Sequence, residues 1–145
     1  MKGKSLLSLI VGLTVTTSSS ASVLAQPRQT LQSLSNGEYF YGESSKPNRL
    51  GERYIVFRKT GRTIIGYDYY EKSDAWECFR GTVSRNSITN ITAASSQESD
   101  EINQLQFYPT RPKELSQFSP IRSNRLPSKA RENLQYCNQV FKNRW

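Results

Sequence analysis

The chain has 145 residues, with 20 Lys and Arg against 12 Asp and Glu, two Cys and no His. Without histidine there is no Ser-His or Cys-His nucleophile pair, no imidazole metal ligand and no imidazole pH switch, and two cysteines cannot make a four-thiolate zinc site. The length suits a single domain.

Lys2 and Lys4 precede an apolar run from Leu6 to Val15, small and hydroxylated residues follow, and the segment closes Val23-Leu24-Ala25. A basic start, a short apolar core and small residues at −3 and −1 predict a secretory signal peptide over 1–25, cut after Ala25. The apolar run is half the length of about 20 residues that a membrane span needs, so the chain is not expected to cross a membrane. No cysteine follows the cut and no twin arginine precedes the apolar run, so neither a lipid anchor nor export of a folded holoprotein is indicated. The expected location is secreted or periplasmic. Loss of Lys2 and Lys4 leaves 120 residues with 18 basic against 12 acidic, a net charge of +6.

Residues 26–36 are polar with scattered Leu and read as a linker, leaving 37–145 as one β-rich domain. Asn36-Gly37 opens a short β-prone run, Glu38 to Tyr41. Four runs rich in β-branched and aromatic residues follow: Tyr54 to Lys59, Thr63 to Tyr70, Ala75 to Val83 and Ile88 to Ala94. They are separated by turn chemistry at Thr60-Gly61, Glu71 to Asp74 and Arg85-Asn86, which predicts consecutive antiparallel hairpins. Leu105 to Tyr108 reads as a further strand, and Pro109, Pro112, Pro120 and Pro127 interrupt regular structure until Ser128. From there Ala130, Leu134, Cys137, Phe141 and Trp145 recur at helical spacing and predict one helix over 128–145. Pro127 and Ser128 suit its start, and Lys142 and Arg144 its negative end.

Turn lengths predict register. A turn at Thr60-Gly61 would pair Phe57 with Ile64, and a four-residue turn at Glu71 to Asp74 would pair Tyr69 with Trp76, Tyr67 with Cys78 and Asp68 with Glu77. Alternation then places Tyr54, Val56, Ile65, Tyr67, Tyr69, Trp76 and Cys78 on one face. Ile55, Phe57, Ile64, Gly66, Asp68, Glu77, Phe79, Gly81 and Val83 take the other. Neither face is polar throughout, so the expected fold is mainly β with one helix (α+β): an antiparallel meander curled into a small barrel-like sheet, packed by the C-terminal helix. Gly66 and Gly81 would supply bends or room inside.

Cys78 and Cys137 are the only thiols, and export places them in an oxidising setting, so they are expected to be joined. That bond would put the helix on the Tyr67/Trp76 side. Asp68 opposite Glu77 is the sharpest chemical feature, because two carboxylates across a strand pair repel unless water, a cation or a basic group compensates. They could grip a cationic ligand or a hard metal, or act as an acid/base pair. The plainer reading is a solvated rim. The tyrosine stripe Tyr67, Tyr69 and Trp76 is more often core than ligand platform.

The candidate ligand-binding residues are Phe57, Asp68, Tyr70, Glu77 and Phe79, and no catalytic residue, metal ligand or cofactor is assigned. Eight basic residues between Ile102 and Trp145 (Arg111, Lys113, Arg122, Arg125, Lys129, Arg131, Lys142, Arg144) face only Glu114 and Glu132, so this stretch holds the whole charge excess. Export and the lack of a recognised motif argue against nucleic acid. Electrostatic association with an anionic membrane surface or acidic polysaccharide fits better, beside a purely solubilising role.

The stretch Asn36-Gly37-Glu38-Tyr39-Phe40-Tyr41-Gly42-Glu43-Ser44, with Pro47-Asn48 and Gly51-Glu52-Arg53-Tyr54-Ile55-Val56-Phe57, resembles small secreted cyanobacterial proteins of uncharacterised function. So do Gly66-Tyr67-Asp68-Tyr69-Tyr70, Cys78-Phe79-Arg80-Gly81 and the single late Cys137 in a terminal helix. The resemblance implies an exported bacterial domain and carries no activity. The functional expectation is a non-enzymatic binding domain taking a small apolar molecule inside a barrel, or a cell-envelope component. The alternative is an interaction or inhibitor protein that lays its basic C-terminal segment on an acidic surface.

Overall fold

The computed structural model describes Gly12, residues 29–96, 104–142 and residue 144. Apart from Gly12, the predicted signal peptide with its cut at Ala25 lies outside the described residues, as does Trp145. Eight antiparallel strands form one sheet: β1 (Gly37–Gly42), β2 (Arg53–Thr60), β3 (Thr63–Tyr70), β4 (Trp76–Ser84), β5 (Ser87–Ser95), β6 (Gln106–Thr110), β7 (Lys113–Glu114) and β8 (Ser119–Ile121). The one α-helix among the described residues, α1 (Ser128–Phe141), follows and ends short of the predicted 145.

The strand order is β6-β5-β4-β3-β2-β1-β8, with β7 pairing off this path to β5. The five long strands form the expected meander. After β6 the chain turns back, touches β5 through β7, crosses one face of the sheet and finishes as β8 on β1. This strap joins the two edges without pairing them, so the sheet curls but does not close into a barrel.

The β3–β4 register is the predicted one, with Tyr69 opposite Trp76, Asp68 opposite Glu77 and Tyr67 opposite Cys78. The β2–β3 register differs. Thr60 pairs with Thr63, the turn falls on Gly61 and Arg62 instead of Thr60 and Gly61, and Phe57 faces Gly66 instead of Ile64. Gly61 takes the left-handed conformation (φ 59°) at the first turn position, where glycine carries no Cβ penalty. The slip is two residues, an even number, so every side chain keeps its predicted face. Between β4 and β5 the register shifts at Arg80/Thr82. Asn90 (φ 50°) is the extra residue of this bulge, which brings Ile88 and Ile91 to the same face although they are three apart.

Both faces are buried. One carries Ile55, Phe57, Ile64, Phe79, Val83, Ile88, Ile91 and Ala93, covered by Leu31 and by Leu115 of the strap. Gly66 leaves the space that the Phe79 ring fills. The other carries Phe40, Tyr54, Val56, Cys78 and Ala94 against Ala130, Leu134, Cys137, Val140 and Phe141 of α1. Burying a stripe of this kind is what holds a 14-residue helix in place.

Cys78 and Cys137 are joined, with a Cα–Cα distance of 5.2 Å, and α1 lies on the Tyr67/Trp76 side as the bond requires. The stretch read as a linker is docked from Thr30 onward. Leu31–Ser33 form a 3₁₀ turn, the Leu31 amide donates to Asn86 Oδ1 (3.0 Å), and Gln32 exchanges bonds with Arg85. Leu31, isolated in a polar stretch, caps the end of the core at 2 % exposure.

Candidate functional site

The strand pairing puts Asp68 of β3 and Glu77 of β4 side by side on the strap-covered face, and the strap brings Lys113 over them. The Lys113 ammonium donates to Asp68 Oδ2 and to Glu77 Oε1, both at 2.6 Å. Arg53, at the start of β2 and on the same face, grips Asp68 with Nε (2.9 Å) and Nη2 (2.6 Å), a bidentate pair of the strong kind. The Tyr108 hydroxyl of β6 donates to Glu77 Oε2 (3.0 Å). Asp68 and Lys113 are only 4 % and 7 % exposed.

Two cations thus meet two carboxylates in a neutral cluster, and all four carboxylate oxygens accept a hydrogen bond. The basic group that the sequence reading required is Lys113. Apolar rings complete the surroundings, with Lys113 Nζ 4.9 Å from the Phe79 ring centre and the Arg53 guanidinium 5.5 Å from that of Phe118. The hydrogen bond to Asp68 raises the affinity of Arg53 for its proton. Burial, with Glu77 beside it, raises the Tyr108 hydroxyl above its ordinary 10.0. The cluster is neutral, and each carboxylate oxygen already has a donor within the protein. Its evident chemistry is to lock the strap onto the sheet. Among the described residues no group of three or more metal-ligating side chains occurs.

Three of the five candidate ligand residues converge: Asp68, Tyr70 and Glu77 border one surface pocket of about 550 Å³, together with Arg53, Asp74 and Trp76. Phe57 and Phe79 lie in the core at 0 % exposure, packed by Tyr39, Tyr41 and the strap. Asp68 and Glu77 are spent on the ion cluster, and Tyr70 lies at the sheet margin at 41 % exposure. The interior expected to hold a small apolar molecule is filled by side chains.

Two other surface grooves are lined by aromatic rings. The larger, about 820 Å³, runs between β1 and the strap past Leu34, Tyr39, Tyr41, Phe118 and Pro120, and is bounded by Gln29, beyond which the next residues toward the N-terminus lie outside the described set. The second, about 410 Å³, lies between α1 and the β3–β4 hairpin and is bordered by Tyr67, Trp76, Lys129, Glu132, Asn133 and Tyr136. Its rings support one another. Tyr67 stacks on Tyr69 at 4.9 Å, Trp76 tilts on Tyr67 at 6.1 Å, and Tyr136 meets Trp76 edge-on at 6.3 Å. All four are half-buried, so the tyrosine stripe is neither plain core nor free surface. Burial raises the Tyr69 hydroxyl well above its ordinary value.

Sequence reasoning missed Arg53, Lys113, Tyr108 and Tyr136. Arg53 was within reach, because it lies two residues before Ile55 and so shares the face of Asp68. Lys113 was not, since nothing local in a proline-rich stretch says that it crosses the sheet. No family model, curated protein or solved structure matches the chain. Among the described residues no helix is long and apolar enough to cross a membrane.

Proposed function

We propose that this chain is an exported, non-enzymatic binding domain that takes its ligand on the surface, in the aromatic groove beside α1. The observation that carries this reading is the half-exposed cluster of Tyr67, Trp76 and Tyr136. These three rings pack on the core and on one another and still border the groove. The groove is walled by two strands and a helix that the Cys78–Cys137 bond fastens together, and rigid walls lower the cost of ordering on binding. The disulfide accords with an oxidising compartment.

Acid/base catalysis finds little support, because Asp68 and Glu77 each face a lysine or arginine within hydrogen-bond distance. The test is native mass spectrometry of protein recovered from its own export compartment. A mature chain starting at Gln26 and carrying a reproducible non-protein adduct is the expected result. The bare unprocessed chain in the cytosol would contradict the proposal.

A second reading has its own observation. Arg111, Arg122, Arg125, Arg131 and Lys142 are exposed, and none forms an ion pair with a described acidic residue. This favours an interaction protein resting on an acidic surface. Retention on anionic vesicles that vanishes at high salt and ignores changes in the aromatic groove would select it.

A further inference from the structure

We infer that the groove between α1 and the β3–β4 hairpin binds an acidic polysaccharide, an inference that rests on the binding-domain reading and names its ligand class. Lys129, Glu132, Asn133 and Tyr136 follow one another at steps of three, one and three along α1 and form its groove-facing stripe, which extends for about 10 Å of helix axis. Tyr67 and Trp76 form the opposite wall. The space is a channel along a helix, and it suits a thread-like polymer better than a flat surface.

The rings choose the chemistry. The C–H face of a sugar ring is apolar and slightly positive, and the face of an aromatic ring is negative, so the two stack. Trp76 already leans on Tyr67 and Tyr136, so little side-chain freedom remains to be lost on binding. Asn133 and the Lys129–Glu132 pair (3.7 Å) stand beside them to hydrogen-bond hydroxyl groups.

Charge chooses the kind of sugar. The mature chain carries +6, all of it in the last 44 residues. Arg122 and Arg125 immediately precede α1, and Lys129 and Arg131 lie in its first turn, all exposed. Glu132 is the one acidic residue in this stretch, and it pairs with Lys129. A polymer with a carboxylate or sulfate on its sugars meets the rings through its C–H faces and the basic end through its anions. A membrane surface would meet the same arginines but has no need of the channel. The walls are joined where they meet: Cys78 is the cross-strand partner of Tyr67, and Cys137 follows Tyr136.

The experiment uses the mature, disulfide-bonded protein with three probes: polygalacturonate, its fully methyl-esterified and uncharged form, and vesicles of phosphatidylglycerol and phosphatidylcholine. Affinity electrophoresis and calorimetry should show binding to polygalacturonate, weaker binding to the ester and still weaker binding to vesicles. Trp76→Ala should weaken polygalacturonate binding about tenfold or more, Trp76→Phe should recover most of it, and Lys129→Glu should cost about tenfold. Lys129 is largely exposed, so that variant keeps the result readable even if Trp76→Ala fails to fold. Three results overturn the inference: vesicles bound more tightly than the polymer, polygalacturonate binding indifferent to both variants, or no binding to either polysaccharide. If the exported protein nevertheless carries a small-molecule adduct, the binding-domain reading stands and only the ligand class falls.

Discussion

At the residue scale, Lys113 decides how the acidic pair behaves. It is nearly buried and neutralises two carboxylates at once, and removing one partner of a buried cluster leaves uncompensated charge, which costs far more than the cluster's net worth. Lys113→Met is therefore expected to destabilise the fold by about 3 kcal/mol, at the low end for such losses because Arg53 still holds Asp68 and Glu77 reaches water. Urea denaturation checks this, and a loss below about 1 kcal/mol would show the cluster to be no lock. Gly66 gives a second case. A Cβ there would overlap the Phe79 ring and the Val56 carbonyl, so Gly66→Ala should cost about 1–3 kcal/mol by overpacking. Thermal melts of the variant should fall accordingly, and an unchanged melting temperature would mean that the Phe79 ring moves aside freely.

At the level of elements, the staple and the bulge matter most. Cys78 and Cys137 are 59 residues apart, and the chain-entropy account gives such a loop about 4 kcal/mol, with its mechanism disputed. The pair Cys78→Ala/Cys137→Ala is expected to lower stability by about that amount, read from denaturant midpoints. A midpoint that matches the oxidised wild type would show that packing alone holds α1 against β4. The pairing was legible in the sequence because only two thiols were present and both fell on stripes with the right periodicity. The bulge in β5 was not, since Asn90 reads as an ordinary strand residue until Ile88 and Ile91 are both required by one core. The β2–β3 slip was also invisible locally. It did no harm to the face assignment, because a shift of two preserves alternation.

For the molecule as a whole, the strap and the helix close opposite faces of one open sheet, and tyrosines sit at several of the seams. Tyr41, Tyr69 and Tyr108 all hold their protons above the ordinary 10.0, chiefly because burial opposes the charged form. Below pH 10 both folded and unfolded chains keep these protons, so stability is unaffected by them. Above it the unfolded chain releases protons that the folded chain retains, so stability falls as pH rises. Denaturant midpoints should stay level as pH approaches 10 and then drop. Carbon-13 tyrosine spectra that show Tyr41, Tyr69 and Tyr108 ionised at pH 10 with the fold intact would show that these side chains ionise freely in the native state.

What the sequence alone determined is whatever depends on local periodicity and on the count of rare residues. The meander, the two faces, the helix, the Cys78–Cys137 bond and the confrontation of Asp68 with Glu77 all follow from alternation, turn chemistry and two cysteines. Only the tertiary structure decided what meets those features. The crossing of 110–121 over the sheet puts Lys113 on the carboxylates and Leu115 over the core, and docking of α1 puts Tyr136 against Trp76. These are contacts between segments far apart in the chain, and no short-range pattern encodes them. They arise because two apolar faces and one pair of like charges each required cover, and the segments left over by the meander were the ones available to supply it.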